Sequence, residues 1–275
     1  MVPSDFKAEK KEVLNILFQS EDRLTAQAYI KKIKTLLSVS FFEAKKIVQK
    51  LIDDQELCYN YIFGSTYVEQ SFLKPVSITN HFVLKPPGFH GRLSGNDIDI
   101  IIAQGISFGS GCHPTTRLCL EAIEFCLFEK QMFDCNKNLK GADIGTGSGV
   151  LAMAMCLAGL ASCQAYEIDP VSINEAKKNI ELNCLEKKIS LIENTMEKRE
   201  NRFSIICANL RPPTLTALSD LIHESLKNCG VAIISGVRQW EKTNLINMYL
   251  KNGLELIWQR DTKKWSAFVL IKKIC

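Results

Sequence analysis

Residues 141–158 read as a short buried strand, a turn punctuated by Gly145, Gly147 and Gly149, and an apolar helix carrying Val150, Leu151, Met153, Ala154 and Leu157. A strand that hands over to a helix in this way has to be carried back before the next strand can pair, which favours a parallel sheet. The same alternation continues to the end of the chain. Helix 114–128 precedes strand 141–144; then come helix 148–158, strand 161–168, helix 170–183 and strands 189–193 and 203–209. Helix 214–227, strand 231–237 and helix 239–252 follow, and strands 254–260 and 265–272 predict an antiparallel hairpin at the sheet edge. Asp169-Pro170 supplies a helix cap followed by proline at the first helical position, and Gly230 and Gly253 stand where helices should stop. The pattern predicts an α/β, mostly parallel, doubly wound sheet.

Glycines at the strand-to-helix turn let the backbone approach a ligand with no Cβ in the way. They serve equally as an ordinary tight turn. Eighteen residues after Gly149 stands Glu167, at the end of an apolar run, where a carboxylate can accept from both hydroxyls of a ribose. The turn is G-x-G-x-G rather than G-x-G-x-x-G, so the dinucleotide fingerprint is not met and a nucleoside cofactor is favoured over NAD. Asp143, just before the turn, either meets an amino group of that cofactor or anchors the glycines. A further apolar run, residues 205–208, ends in Asn209, where an open parallel sheet carries its chemistry. Asn209 either orients an acceptor nitrogen or caps the following helix.

A second glycine-rich segment, Phe108-Gly109-Ser110-Gly111-Cys112-His113-Pro114-Thr115-Thr116, precedes the first strand of this pattern. With residues 143–154, 166–183, 208–210 and 235–265 it resembles, in order and spacing, the ribosomal protein L11 methyltransferases, over roughly residues 74–275. The resemblance implies a Rossmann-like class I S-adenosylmethionine methyltransferase sheet. It also implies that Thr116, Gly145, Glu167 and Asn209 contact the cofactor or its surroundings, with Gly147 in the turn and Asp143 beneath it. Phe108 packs against the cofactor or simply against the core. His113 is a base by residue type, or else shapes the loop before Pro114. Ser110 stands where the family usually has Thr and Glu167 where it usually has Asp, and both replacements keep the hydrogen-bonding function. The implied reaction is methylation of a protein amine, a lysine or an N-terminus, with ribosomal protein L11 as the default partner. The segment Asn209-Leu210-Arg211-Pro212-Pro213 separates the asparagine from the prolines and lacks the aromatic of the N-P-P-Y motif, so base methylation loses its main support.

Residues 1–74 differ in character. Three helical patterns followed by two short strands around Gly64-Ser65 resemble a small, mainly helical winged-helix domain, unlike the α/β substrate-recognition domain of the L11 methyltransferases. The family's target is therefore not carried over with it. A third helix that read DNA would be basic, yet this one mixes Lys45, Lys46 and Lys50 with Glu43, Asp53 and Asp54. Together with a net charge of only +4, this makes nucleic acid an unexpected main partner and protein docking the better reading. Residues 75–104, with a Pro-Pro-Gly turn and a strand-like run at 98–103, read as a semi-rigid connector, part of which packs on a methyltransferase domain over 105–275.

The 11 cysteines are scattered, form no C-x-x-C pair and are odd in number, which with no signal-peptide pattern points to a reducing cytoplasm and small core residues. None of the four histidines stands at zinc-ligand spacing, so no metal is expected. No apolar run approaches the length of a membrane span.

Overall fold

The structure, a computed structural model, describes residues 4–62, 64–89, 98–103, 105, 113–133, 138–197 and 202–273. They fall into two compact units divided after Lys74.

The first unit is three helices, α1 (Ser4–Gln19), α2 (Ala26–Leu37) and α3 (Phe41–Asp53), then an antiparallel hairpin of β1 (Leu57–Ile62) and β2 (Ser65–Gln70). Local chemistry sets the helix ends. Thr25 caps α2 by accepting from Ala28 N–H, and Ser38 stops it in the left-handed region. Ser40 and Glu43 form a reciprocal capping box at the start of α3. The apolar faces meet in a core that includes Val13, Tyr29, Ile33, Val48, Leu51, Leu57 and Val68. The Tyr29 hydroxyl keeps its hydrogen bond inside that core by donating to the Val13 carbonyl at 2.8 Å.

The second unit begins with a small sheet of β3 (Val76–Ser77), β4 (Phe82–Lys85) and β5 (Ile98–Ile101), in that order, with β4 and β5 parallel. Thus the region read as a connector carries ordered pairing of its own. Helix α4 (Pro114–Glu124), which ends in a π turn (Phe125–Glu129), leads to β6 (Lys140–Ile144), α5 (Val150–Leu157), β7 (Ser162–Tyr166), α6 (Pro170–Leu182) and β8 (Ile189–Ile192). Then follow β9 (Phe203–Asn209), α7 (Pro212–Ala217), α8 (Ser219–Ser225), β10 (Leu226–Arg238), α9 (Lys242–Lys251), β11 (Leu254–Thr262) and β12 (Trp265–Lys272).

The large sheet has the order β8-β7-β6-β9-β10-β12-β11. Strands β6 to β10 are mutually parallel, and β12 runs antiparallel between β10 and β11. The final hairpin therefore forms as expected, but its return strand is the inner one. Central strands covered on both faces carry unbroken apolar runs, as in the six buried residues that open β9. The single helix expected over 214–227 is two short helices meeting at Leu218, and β10 starts as early as Leu226. Buried thiols at Cys119, Cys126, Cys156, Cys163 and Cys207 lie in this core. Burial pushes the Cys126 thiol up to about 12, so it behaves as a small apolar residue.

Strand order reverses direction between β6 and β9, and the carboxyl ends of those two strands flank the crevice where open α/β sheets place ligands.

Candidate active site

The crevice is built from residues one step past the last positions at which β6 pairs with its two neighbours. Ile144 lies opposite Tyr166 on one side and Ala208 on the other, so Gly145, Glu167 and Asn209 emerge at one level. Two interstrand spacings, on the order of 10 Å, separate Glu167 from Asn209. That span suits a ligand with a ribose at one end and a reacting group at the other.

Gly145, Gly147 and Gly149 all have positive φ, at 70°, 55° and 84°. At Gly145 a side chain would strain the left-handed backbone, and a Cβ would stand 2.5 Å from Leu210 Cδ2, so the leucine tip would have to move. The turn is tied down from below. Asp143 Oδ2 accepts from the Thr146 hydroxyl at 2.6 Å and from Ala152 N–H at 3.1 Å, joining strand, turn and helix α5. Asp143 Oδ1, also buried, has no partner among the described residues. Burial raises this carboxyl to about 6 from an ordinary 3.8, against the opposing pull of the hydrogen bonds from Thr146 and Ala152. Anchoring the glycines is thus a role Asp143 already fills, with one oxygen left over.

Glu167 is more committed than its position in the sequence suggests. One oxygen accepts from Gly147 N–H at 3.0 Å, and the other from Ile168 N–H at 2.9 Å and Asp169 N–H at 3.1 Å. A carboxylate offers about four acceptor sites. In this conformation one remains, so accepting two ribose hydroxyls requires release of a backbone donor, for which Gly147 N–H faces the crevice turn.

Thr116, in the first turn of α4, is buried, and its hydroxyl has no partner among the described residues. Asn209 Oδ1 is in the same condition at the end of β9. Asn209 does not cap a helix: the cap position of α7 is Arg211, which makes no side-chain cap bond. His113 caps α4, its Nδ1 accepting from Thr115 N–H at 3.3 Å, which favours the loop-shaping role over that of a base. Phe108 lies outside the described residues, as do residues 109–112. Gly147 takes part through its N–H and its left-handed backbone.

Three features of the site escaped the sequence reading. Ser148 Oγ is a further buried atom without a partner among the described residues. Asn179 of α6 donates to the Ser148 carbonyl at 2.9 Å and accepts from Ala103 N–H at 2.9 Å, clamping the turn to the segment after β5. At the outer end of β10, the Arg238 guanidinium lies 3.7 Å from the centroid of the Trp265 ring, which also meets His113 edge-on at 4.9 Å. A helical asparagine gives no signal in one sequence, and neither does a cation stacked on a ring that is distant along the chain.

A glycine cradle, buried polar atoms awaiting partners and an acidic residue on the neighbouring strand fit a nucleoside cofactor. Among the described residues no group of three or more His, Cys, Asp or Glu could hold a metal.

A family model described as ribosomal protein L11 methyltransferase (PrmA) matches residues 7–273. The chain belongs to this family. The match starts at residue 7, so the family's span includes the helical N-terminal unit and is not confined to residues 74–275. A ribosomal protein L11 methyltransferase of Fusobacterium nucleatum is 30% identical over 284 residues, covering 98% of this chain and 85% of its own. The corresponding protein of Anoxybacillus flavithermus is 27% identical over 206 residues, 74% of this chain. The match spans 64% of that relative, a little under two thirds of its length. In fold, the chain is similar to a crystal structure of ribosomal protein L11 methylase from Lactobacillus delbrueckii subsp. bulgaricus. The TM-score is 0.64 at 24% identity, covering 73% of this chain and all of that one. The fold is the Rossmann-like class I methyltransferase fold.

Proposed function

We propose that the chain is an S-adenosylmethionine-dependent N-methyltransferase acting on a protein amine, with ribosomal protein L11 as the acceptor. The observation that carries this reading is the buried, partnerless Asn209 Oδ1 at the end of β9, level with Gly145 and Glu167.

When bound, the cofactor supplies an electrophilic methyl group. Glu167 would hold its ribose end, Thr116 and the glycine turn would hold the remainder, and Asn209 would face the acceptor. The protein's task is alignment and exclusion of water, since an in-line displacement needs no nucleophile from the enzyme. A lysine acceptor must arrive neutral. With an ordinary pKa near 10.4, stripping its proton at pH 7 costs about 4–5 kcal/mol. Burial would disfavour the ammonium, and Asn209 Oδ1 would accept from an amine N–H and so orient the acceptor nitrogen. The N-terminal unit serves protein docking, and the enzyme works in the cytoplasm; among the described residues no helix is long and apolar enough to cross a membrane.

Mass spectrometry of free L11 and whole ribosomes incubated with the enzyme and cofactor tests this. Methyl increments on L11 that vanish with Asn209→Ala support the reading. Their absence, despite calorimetric binding of S-adenosylhomocysteine, would redirect the search to another acceptor.

A further inference from the structure

We propose that Arg238, stacked on Trp265 and flanked by Trp240, is a receptor for a carboxylate on the acceptor protein, next to the amine that is methylated. The inference rests on the methyl-transfer reading above and specifies how its substrate is selected.

The guanidinium is held by rings rather than by counter-ions. It sits 3.7 Å from the Trp265 centroid and 5.7 Å from that of Trp240. No carboxylate among the described residues pairs with it; Glu241 accepts only from the Arg238 backbone N–H, at 2.9 Å. The ring covers one side of the ion, and among the described residues no side chain accepts from its N–H groups, which leaves them for a carboxylate, the partner that a guanidinium can take with two parallel hydrogen bonds.

Its place in the sheet supplies the second argument. Strands β9 and β10 run parallel with Ser235 opposite Asn209, and Leu210 N–H donates to the Ser235 carbonyl at 3.2 Å. Gly236 lies so close to Leu210 that a Cβ there would collide with the Leu210 carbonyl oxygen. Arg238, three residues past Ser235, therefore stands on the order of 10 Å beyond Asn209 toward the mouth of the crevice, less the shortening of the β10 bulge. An extended lysine reaching down to Asn209 leaves its own backbone near the level of Arg238. The neighbours of the acceptor residue then meet the cluster. Trp240, 70% exposed, supplies the large uncovered aromatic that a protein partner buries.

A carboxylate could also come from the cofactor's amino-acid end, and the test separates the two sources. The probes are N-acetylated pentapeptides with one lysine flanked by glutamates, glutamines or arginines, titrated by indole fluorescence, and S-adenosylhomocysteine, titrated by calorimetry. The wild type should prefer the glutamate peptide over the glutamine peptide by about tenfold, the scale of one charge-assisted pair. Arg238→Gln should erase that preference, and Arg238→Glu should transfer it to the arginine peptide. On L11, Arg238→Gln should raise KM about tenfold without weakening S-adenosylhomocysteine. Equal binding of the first two peptides by the wild type overturns the proposal, whether or not the variants fold. So does a loss in Arg238→Gln that falls on S-adenosylhomocysteine instead. Discrimination among peptides without methylation of L11 would sink the acceptor assignment alone, and methylation without discrimination would sink this inference alone.

Discussion

Asp143→Asn gives a quantitative test of the site's electrostatics. Burial holds the wild-type carboxyl at about 6 in the folded chain, against 3.8 when exposed. A raised carboxylate binds its proton more tightly in the native state than in the unfolded one. Its contribution to stability is therefore greatest below about pH 4, falls as pH rises toward 6, and is level above that. Two units correspond to about 3 kcal/mol at roughly 1.4 kcal/mol per unit. Asparagine cannot ionise, yet its carbonyl can still accept from Thr146 and Ala152. The stability difference, variant minus wild type, should therefore grow by about 2.5 kcal/mol between pH 4 and 7, the rest of the change lying below pH 4. Urea unfolding at half-unit pH steps, with both proteins in the same buffers, reads this difference while the other carboxylates cancel. A cationic ligand favours the ionised form, so stabilisation by S-adenosylmethionine should weaken as the wild type is acidified through pH 6 and stay level in the variant. A stability difference that is flat from pH 4 to 7 would refute the reasoning, because it would mean that Asp143 ionises in the fold as readily as in water.

Asn209→Ala should lower turnover about a hundredfold, the usual worth of one positioned polar group, and leave the unfolding midpoint unchanged or higher, since a buried carbonyl without a partner is removed. Turnover within twofold of wild type would count against Asn209. Glu167→Ala strips acceptors from three backbone N–H groups and should cost about 1–3 kcal/mol in denaturant together with a loss of S-adenosylhomocysteine affinity by calorimetry; unchanged affinity would remove it from the cofactor site. Gly145→Ala forces a Cβ against Leu210 at φ 70° and should destabilise by about 1–3 kcal/mol. A shift below about 0.5 kcal/mol in urea would show that the turn relaxes freely.

What the sequence revealed was what is local in it. Strand, turn and helix at 141–158 are encoded by residues within hydrogen-bonding reach of each other, and the cap at Asp169 likewise needs only the residue three positions on. The helical N-terminal unit and its hairpin follow the same rule. Less legible was the break at Leu218, where one expected helix is two, and the small sheet, of which the strand at 98–101 was expected but the pairing of β3 and β4 was not. Contacts joining distant segments were invisible: Asn179 to Ala103, Asn183 to Ile101 and Arg238 to Trp265 each depend on which elements the sheet brings together. Spacing singled out Glu167 but could not show its capture of three backbone donors, because spacing says nothing of the rotamer.

The distribution of unmet polar atoms ties fold to function more closely than any motif. Among the described residues, the buried side-chain atoms without a partner are Asp99 Oδ1, Thr116 Oγ1, Asp143 Oδ1, Ser148 Oγ and Asn209 Oδ1. Four of these five belong to α4, β6, the glycine turn and β9, at the crevice where the strand order reverses. Each such atom costs about 1–3 kcal/mol of lost solvation. Among the described residues, no other buried side-chain oxygen or nitrogen of the large sheet is without a partner, and the buried Ser235 hydroxyl donates to the Ser266 carbonyl at 2.9 Å. A chain able to meet its hydrogen-bonding needs elsewhere concentrates the shortfall where a ligand can offset it. A ligand that binds at these atoms would be selected by them, because one lacking matching groups leaves the cost in place.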